Sequence, residues 1–142
     1  MSGHNREQER EAARWLKIAE DDRDVARICL EAVSPKIEIA AYHCQQSVEK
    51  LIKGMLVCVG VHFPKTHDIR ALTELAEVHF PNCRELFSRG VPLTGWGFVY
   101  RYPGLEDELP PDAMDILEAM ATIDQLAAHL RTLVARGAPP PK

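Results

Sequence analysis

The stretch that decides the fold is residues 36–59, which read KIEIAAYHCQQSVEKLIKGMLVCV. Its apolar side chains recur every three or four residues, the spacing of one face of an α-helix. Gly60 follows at once and predicts where this helix ends, because glycine readily adopts the left-handed backbone that closes a helix. The predicted inner stripe comprises Ile37, Ala41, Cys44, Val48, Leu51, Met55 and Val59.

Two other stretches predict long helices, one over residues 6–33 and one from about residue 111 to just before Gly137. The apolar stripe expected on the first comprises Trp15, Ile18, Ala19, Val25, Ala26, Cys29 and Val33. Two shorter helices are expected between them, one capped by Thr66 and one opening at Pro81. No segment alternates with the period of a strand, so we predict an all-α, up-and-down antiparallel bundle of about five helices, three of them long.

Asp22 does not fit the apolar stripe of the first helix. It lies seven residues from both Trp15 and Cys29, which places it in the middle of that stripe. A carboxylate there needs a cation or hydrogen-bond donors, so we expect a structural pair, and Arg101 is the candidate cation. The alternative is that the stripe rotates locally and Asp22 is solvated.

The face of the second helix opposite its stripe is polar. It carries His43, Gln46, Glu49, Lys50 and Lys53, of which Glu49 and Lys53 are spaced to pair. Such a face is ordinarily exposed to solvent, and we expect that here.

Composition favours one globular domain over residues 1–136, followed by a disordered, proline-rich tail at 137–142. The formal net charge of −4 argues against a surface that coats nucleic acid. The N-terminal residues lack the apolar segment of a secretory signal, and no apolar run is long enough for a bilayer. We therefore expect a cytoplasmic protein without a membrane anchor, whose four cysteines are free thiols.

The sequence contains no recognisable metal or nucleophile motif. Glu-x-x-His, which di-metal bundles use, is absent, and so are Gly-x-Ser-x-Gly and the phosphate loop Gly-x-x-x-x-Gly-Lys. We expect no metal and no cofactor. What remains is basic: Lys50 and Lys53 on the second helix, His67 at the start of the third, and Arg101 between two tyrosines.

Four segments together resemble the HEPN domain family. They are residues 15–22 (WLKIAEDD), 41–53 (AYHCQQSVEKLIK), 65–69 (KTHDI) and 99–103 (VYRYP), and the resemblance spans roughly residues 15–134. It implies a helical bundle that commonly dimerises. Many prokaryotic members are encoded beside a minimal nucleotidyltransferase as half of a toxin–antitoxin-like pair. Other members are metal-independent ribonucleases, and some have been linked to nucleotide binding.

The ribonuclease members use an Arg followed, after four to six residues, by a His. Arg101 stands where the resemblance implies the arginine, yet no histidine follows it in range, and no other arginine in the chain completes the motif. Glu106 lies five residues after Arg101, but its anionic carboxylate would stand beside the RNA phosphate. We therefore do not expect an enzyme.

The resulting prediction is a homodimer that binds a nucleotide or a nucleotidyltransferase partner, with Lys50, Lys53, His67 and Arg101 supplying positive charge. Two alternatives stay open at this point. One is a ribonuclease toxin that uses Arg101 with a different acid or base, for which RNA is the ligand. The other is a purely structural, scaffolding dimer.

Overall fold

In the computed structural model, which describes residues 3–96 and 111–136 with side chains from residue 6 onward, the bundle forms around α2 (Ile37–Cys58). This helix packs against α1 (Gly3–Glu31), α3 (Ile69–Ala76) and α5 (Ala113–Arg136). A short helix, α4 (Arg84–Gly90), lies between 3₁₀ turns at Pro81–Cys83 and Val91–Leu93. None of the described residues forms a β-strand, so the predicted all-α bundle is confirmed.

The directions of the three long helices follow from their side-chain contacts. Going along α1, Trp15 contacts Lys53 of α2, Ala19 contacts Ser47 and Asp22 contacts His43. On the side of α1 that faces α5, Glu20 pairs with Arg131 of α5 and Arg23 with Asp124. Both neighbours of α1 are therefore antiparallel to it. Arg23 binds Asp124 through two parallel hydrogen bonds of 2.9 Å, which fixes the register of α1 against α5.

The end of α2 shows why the glycine signal was reliable. Gly60 has φ +70°, and its amide donates to the carbonyl of Val57 while the amide of Val61 donates to that of Leu56. These two bonds are a Schellman motif, which satisfies carbonyls that the helix end would leave free. The start of α3 differs from expectation: Asp68, not Thr66, caps it by accepting from the amide of Arg70.

The predicted apolar stripe of α1 was right for four of its seven residues and wrong for the other three. Ile18 and Val25 are 45% and 37% exposed and Val33 is fully exposed, whereas Ala12, Ala19 and Ala26 are completely buried. These alanines recur every seven residues and let α1 approach α2 so closely that Ser47 donates to the carbonyl of Ala19 at 2.8 Å. The close packing of α1 on α2 therefore favours alanine at these positions, and the larger Ile18 and Val25 lie toward solvent.

Gly54 lies where α1, α2 and α5 meet. A Cβ at this position would stand 2.7 Å from Cδ2 of Leu130 and 3.1 Å from Cβ of Trp15. Both separations are shorter than van der Waals contact, so the crossing of the three helices requires glycine.

We expect Gly54→Ala to lower the free energy of unfolding by about 1–3 kcal/mol, because overpacking outweighs the gain of about 1 kcal/mol in helix propensity. Urea denaturation measures this loss. The same change in a Leu130→Ala background removes one of the two clashes and should cost less than in the wild type. A Gly54→Ala variant as stable as the wild type would contradict the close crossing.

Candidate functional site

Six polar side chains on α1, α2 and the loop before α3 form the most organised group of charges in the described residues. We call them the α2 polar cluster; its members are Asp22, His43, Glu49, Lys50, Lys53 and His67. Four of them lie on α2 itself, spaced so that they follow one face of the helix. The cluster divides into two halves, each built around one carboxylate.

The first half is built around Asp22. Its Oδ2 accepts a hydrogen bond from Nζ of Lys50 at 2.6 Å, and its Oδ1 lies 2.9 Å from Nδ1 of His43. The Asp22 side chain is only 12% exposed. Asp22 is therefore paired with residues of α2, while Arg101 lies outside the described residues and its pairing with Asp22 stays a prediction.

The second half is built around Glu49, whose side chain is 3% exposed. Its Oε1 lies 2.7 Å from Nδ1 of His67, and its Oε2 lies 3.7 Å from Nζ of Lys53. Lys53 itself is 10% exposed on its side chain, so this is a nearly buried ion pair. His67 is 64% exposed and covers the pair from the loop before α3.

Two aromatic rings enclose the ammonium group of Lys53. Its Nζ lies 5.7 Å from the ring centre of Trp15 and 5.9 Å from that of Phe63, within the range of cation–π attraction. The two rings themselves meet edge to face at 6.4 Å. The loop before α3 therefore covers the Glu49–Lys53 pair, because Phe63 contacts Lys53 and His67 contacts Glu49.

The expectation that this face of α2 is exposed to solvent was wrong. Gln46, Glu49 and Lys53 are buried, because α1 and the loop before α3 cover the face that periodicity assigned to water. A buried charge needs a partner, and each lysine of the cluster has a carboxylate. The two lysines and the two carboxylates cancel in formal charge.

The structure brings together three of the four predicted binding residues, Lys50, Lys53 and His67. Both lysines are paired with carboxylates, and their role in binding stays a prediction. Arg101, the fourth, lies outside the described residues. Within residues 6–96 and 111–136, no three His, Cys, Asp or Glu side chains are grouped in a way that could hold a metal ion.

Glu49, Trp15 and Phe63 complete the site and were not predicted as part of it. The spacing of Glu49 and Lys53 signalled a pair, but the covering aromatic residues come from positions 38 residues before and 10 residues after Lys53. No periodicity links such distant positions. The one usable signal was Asp22, a carboxylate that the sequence placed among apolar residues.

Cys44, beside the first half of the cluster, is completely buried and free. Desolvation raises the pKa of its thiol to about 12. The thiolate is the nucleophilic form, so Cys44 is inert at neutral pH, and adjacent His43 is engaged with Asp22. A Cys–His pair for nucleophilic catalysis is thus excluded here.

This raised pKa predicts an alkaline loss of stability. Below about pH 9 the thiol is neutral in both states, and as pH rises further only the unfolded chain ionises it, so stability falls. Between pH 8 and pH 10 we expect the wild type to lose about 1.4 kcal/mol more than Cys44→Ala. Urea denaturation of both proteins at the two pH values tests this; equal losses would show that the thiol ionises in the folded protein.

No helix in the described part of the chain is both long enough and apolar enough to cross a bilayer. Among curated proteins, none matches the sequence. The family model described as HEPN domain matches residues 12–130, which takes in most of α1, the whole α2 polar cluster and most of α5. A match over this share of the chain shows that the protein belongs to the HEPN domain family.

Proposed function

We propose that this HEPN protein is a binding component that does not cut RNA, and that it works in the cytoplasm as a homodimer paired with a minimal nucleotidyltransferase in a toxin–antitoxin-like module. One observation carries the proposal: Lys50 and Lys53 are both neutralised by carboxylates within the same chain. Metal-independent cleavage of RNA needs free cations to stabilise the charged transition state and a group to transfer protons.

The sequence supports the same conclusion from the side of proton transfer. No arginine of the 142 residues is followed by a histidine after four to six residues. His43 and His67 are both engaged with carboxylates, which occupies one nitrogen of each ring. Neither histidine follows an arginine at the spacing that the ribonuclease members use.

The surface beside the cluster favours a protein partner over a nucleotide. Ile18 and Val25 lie four residues before and three residues after Asp22, so both flank it on the exposed side of α1. Exposed apolar side chains next to neutralised charges are typical of protein interfaces. A nucleotide phosphate would instead have to displace Asp22 or Glu49 from a lysine.

The experiment is size-exclusion chromatography with light scattering, run on the chain alone and mixed with a purified minimal nucleotidyltransferase from the same genome. We expect a dimer alone and a larger complex in the mixture. Val25→Arg should weaken the complex by at least about tenfold, because a charge replaces an apolar contact. Val78→Arg is the matched control, since Val78 is exposed on another part of the chain, after α3.

Calorimetric titration with ATP distinguishes binding of a protein partner from binding of a nucleotide at the α2 polar cluster. An ATP titration that is the same for the wild type and Lys53→Ala, together with a complex that Val25→Arg weakens and Val78→Arg does not, supports partner binding. Binding of ATP that Lys53→Ala abolishes, without loss of fold, would show that the lysines leave their carboxylates for a nucleotide.

A further inference from the structure

A groove separate from the α2 polar cluster lies between the end of α2, the segment that follows α3, and the second half of α5. Its volume is about 780 Å³, within the range of sites that hold small organic ligands. Val59, Phe80 and Leu133 give it an apolar floor. The groove shares no residue with the cluster described above.

The polar lining of this groove is basic or neutral. It carries His79, Asn82, His129 and Arg136, and none of the described residues that line it is Asp or Glu. Two other grooves are different, since Asp115 and Glu118 line one and acidic residues also line the groove between α1 and α5. The chain has a formal charge of −4, so a groove lined by basic side chains and no carboxylates differs in charge from the chain as a whole.

The donors of the groove are also unoccupied. Within residues 6–96 and 111–136, the side chains of His79, His129 and Arg136 form no hydrogen bond and no ion pair, in contrast to Arg131 on the same helix, which pairs with Glu20. His129 and Arg136 are seven residues apart, so they lie two turns apart along one face of α5. They can therefore contact the same elongated molecule.

We propose that this groove binds a small organic anion that joins an apolar body to an oxyanion group such as a phosphate. The guanidinium of Arg136 and the imidazoles donate to the phosphate oxygens. The apolar body lies on Val59, Phe80 and Leu133, which removes it from water. Both parts of the ligand are needed, because an exposed arginine alone holds an anion only weakly.

Phenyl phosphate is a suitable probe because it joins an aromatic ring to a phosphate. Calorimetric titration gives its affinity, and the ring C–H signals of His79 and His129 in carbon–proton NMR spectra report where it binds. We expect both signals to shift, and Arg136→Ala to lower the affinity by at least about tenfold. Arg131→Ala is the matched control, on the same helix but facing Glu20, and should change affinity by less than about twofold.

Two further probes test the two parts of the proposed ligand. Inorganic phosphate and phenol should each bind more weakly than phenyl phosphate, because each lacks one of the two contacts. Phenol binding as tightly as phenyl phosphate would overturn the anion assignment. An absence of shifts at His79 and His129, or equal losses in Arg136→Ala and Arg131→Ala, would overturn the site.

Discussion

Glu49→Ala is expected to lower the free energy of unfolding by about 3 kcal/mol, the largest loss we predict for a single change. The substitution removes the carboxylate that faces Lys53 at 3.7 Å and His67 at 2.7 Å. Lys53 then remains between Trp15 and Phe63 with its side chain 10% exposed, a charge without an anionic partner. The measurement is urea denaturation followed by circular dichroism.

A double variant separates the lost partner from lost packing. Glu49→Leu with Lys53→Met replaces both charges by apolar groups of similar size, and we expect it to lose less than about 1 kcal/mol. The double variant also lacks the cation–π attraction between Lys53 and the two rings, so we expect a small loss of stability even though no charge is left unpaired. If the double variant were as unstable as Glu49→Ala, the unpaired charge would not be the cause.

The matched control is Glu85→Ala. Glu85 also forms a pair with a basic residue four positions away, Arg89, at 3.0 Å, but both side chains are largely exposed. Solvent screens such a pair, so its loss should cost less than about 0.5 kcal/mol. Equal effects of Glu49→Ala and Glu85→Ala would contradict the burial of the Glu49–Lys53 pair.

Asp22→Ala is expected to cost about 2–3 kcal/mol. It leaves Lys50 and His43 without the carboxylate that each contacts, and these side chains are 20% and 25% exposed. The loss should be smaller than for Glu49→Ala, because water reaches this half of the cluster more easily. The same urea measurement applies.

Asp21→Ala controls for position and charge. Asp21 is the neighbour of Asp22 on α1 and pairs with Lys17 at 2.7 Å, yet both side chains are more than half exposed. We expect a change below about 0.5 kcal/mol. A loss of that size for Asp22→Ala as well would show that Asp22 is an ordinary surface residue.

The helices of this bundle could be predicted because their signals are local. The stripe of α2 and Gly60 after it depend on residues that are close in sequence, and helix geometry converts that spacing into structure. The stripe of α1 was harder because it contains more apolar residues than one face can bury. Ala19 and Ala26 were assigned correctly, but Ala12 was missed, because hydrophobicity alone does not indicate that α2 approaches α1 closely along this row.

The site could be predicted only in part, because its pairs join distant residues. Asp22 and Lys50 are 28 residues apart, and Glu49 and His67 are 18 residues apart. The pattern of α2 distinguishes an apolar from a polar face, but it contains nothing about whether a second element covers the polar face. The misplaced carboxylate of Asp22 was the one sign that charges are buried between α1 and α2.

We propose that this HEPN protein does not cut RNA, and a cleavage assay tests this most directly. Purified protein, free of contaminating nuclease, is incubated with end-labelled single-stranded RNA in the presence of a metal chelator, beside Arg101→Ala. We expect intact RNA with both proteins. Cleavage by the wild type that Arg101→Ala abolishes would contradict it and would show a ribonuclease with a different acid–base group.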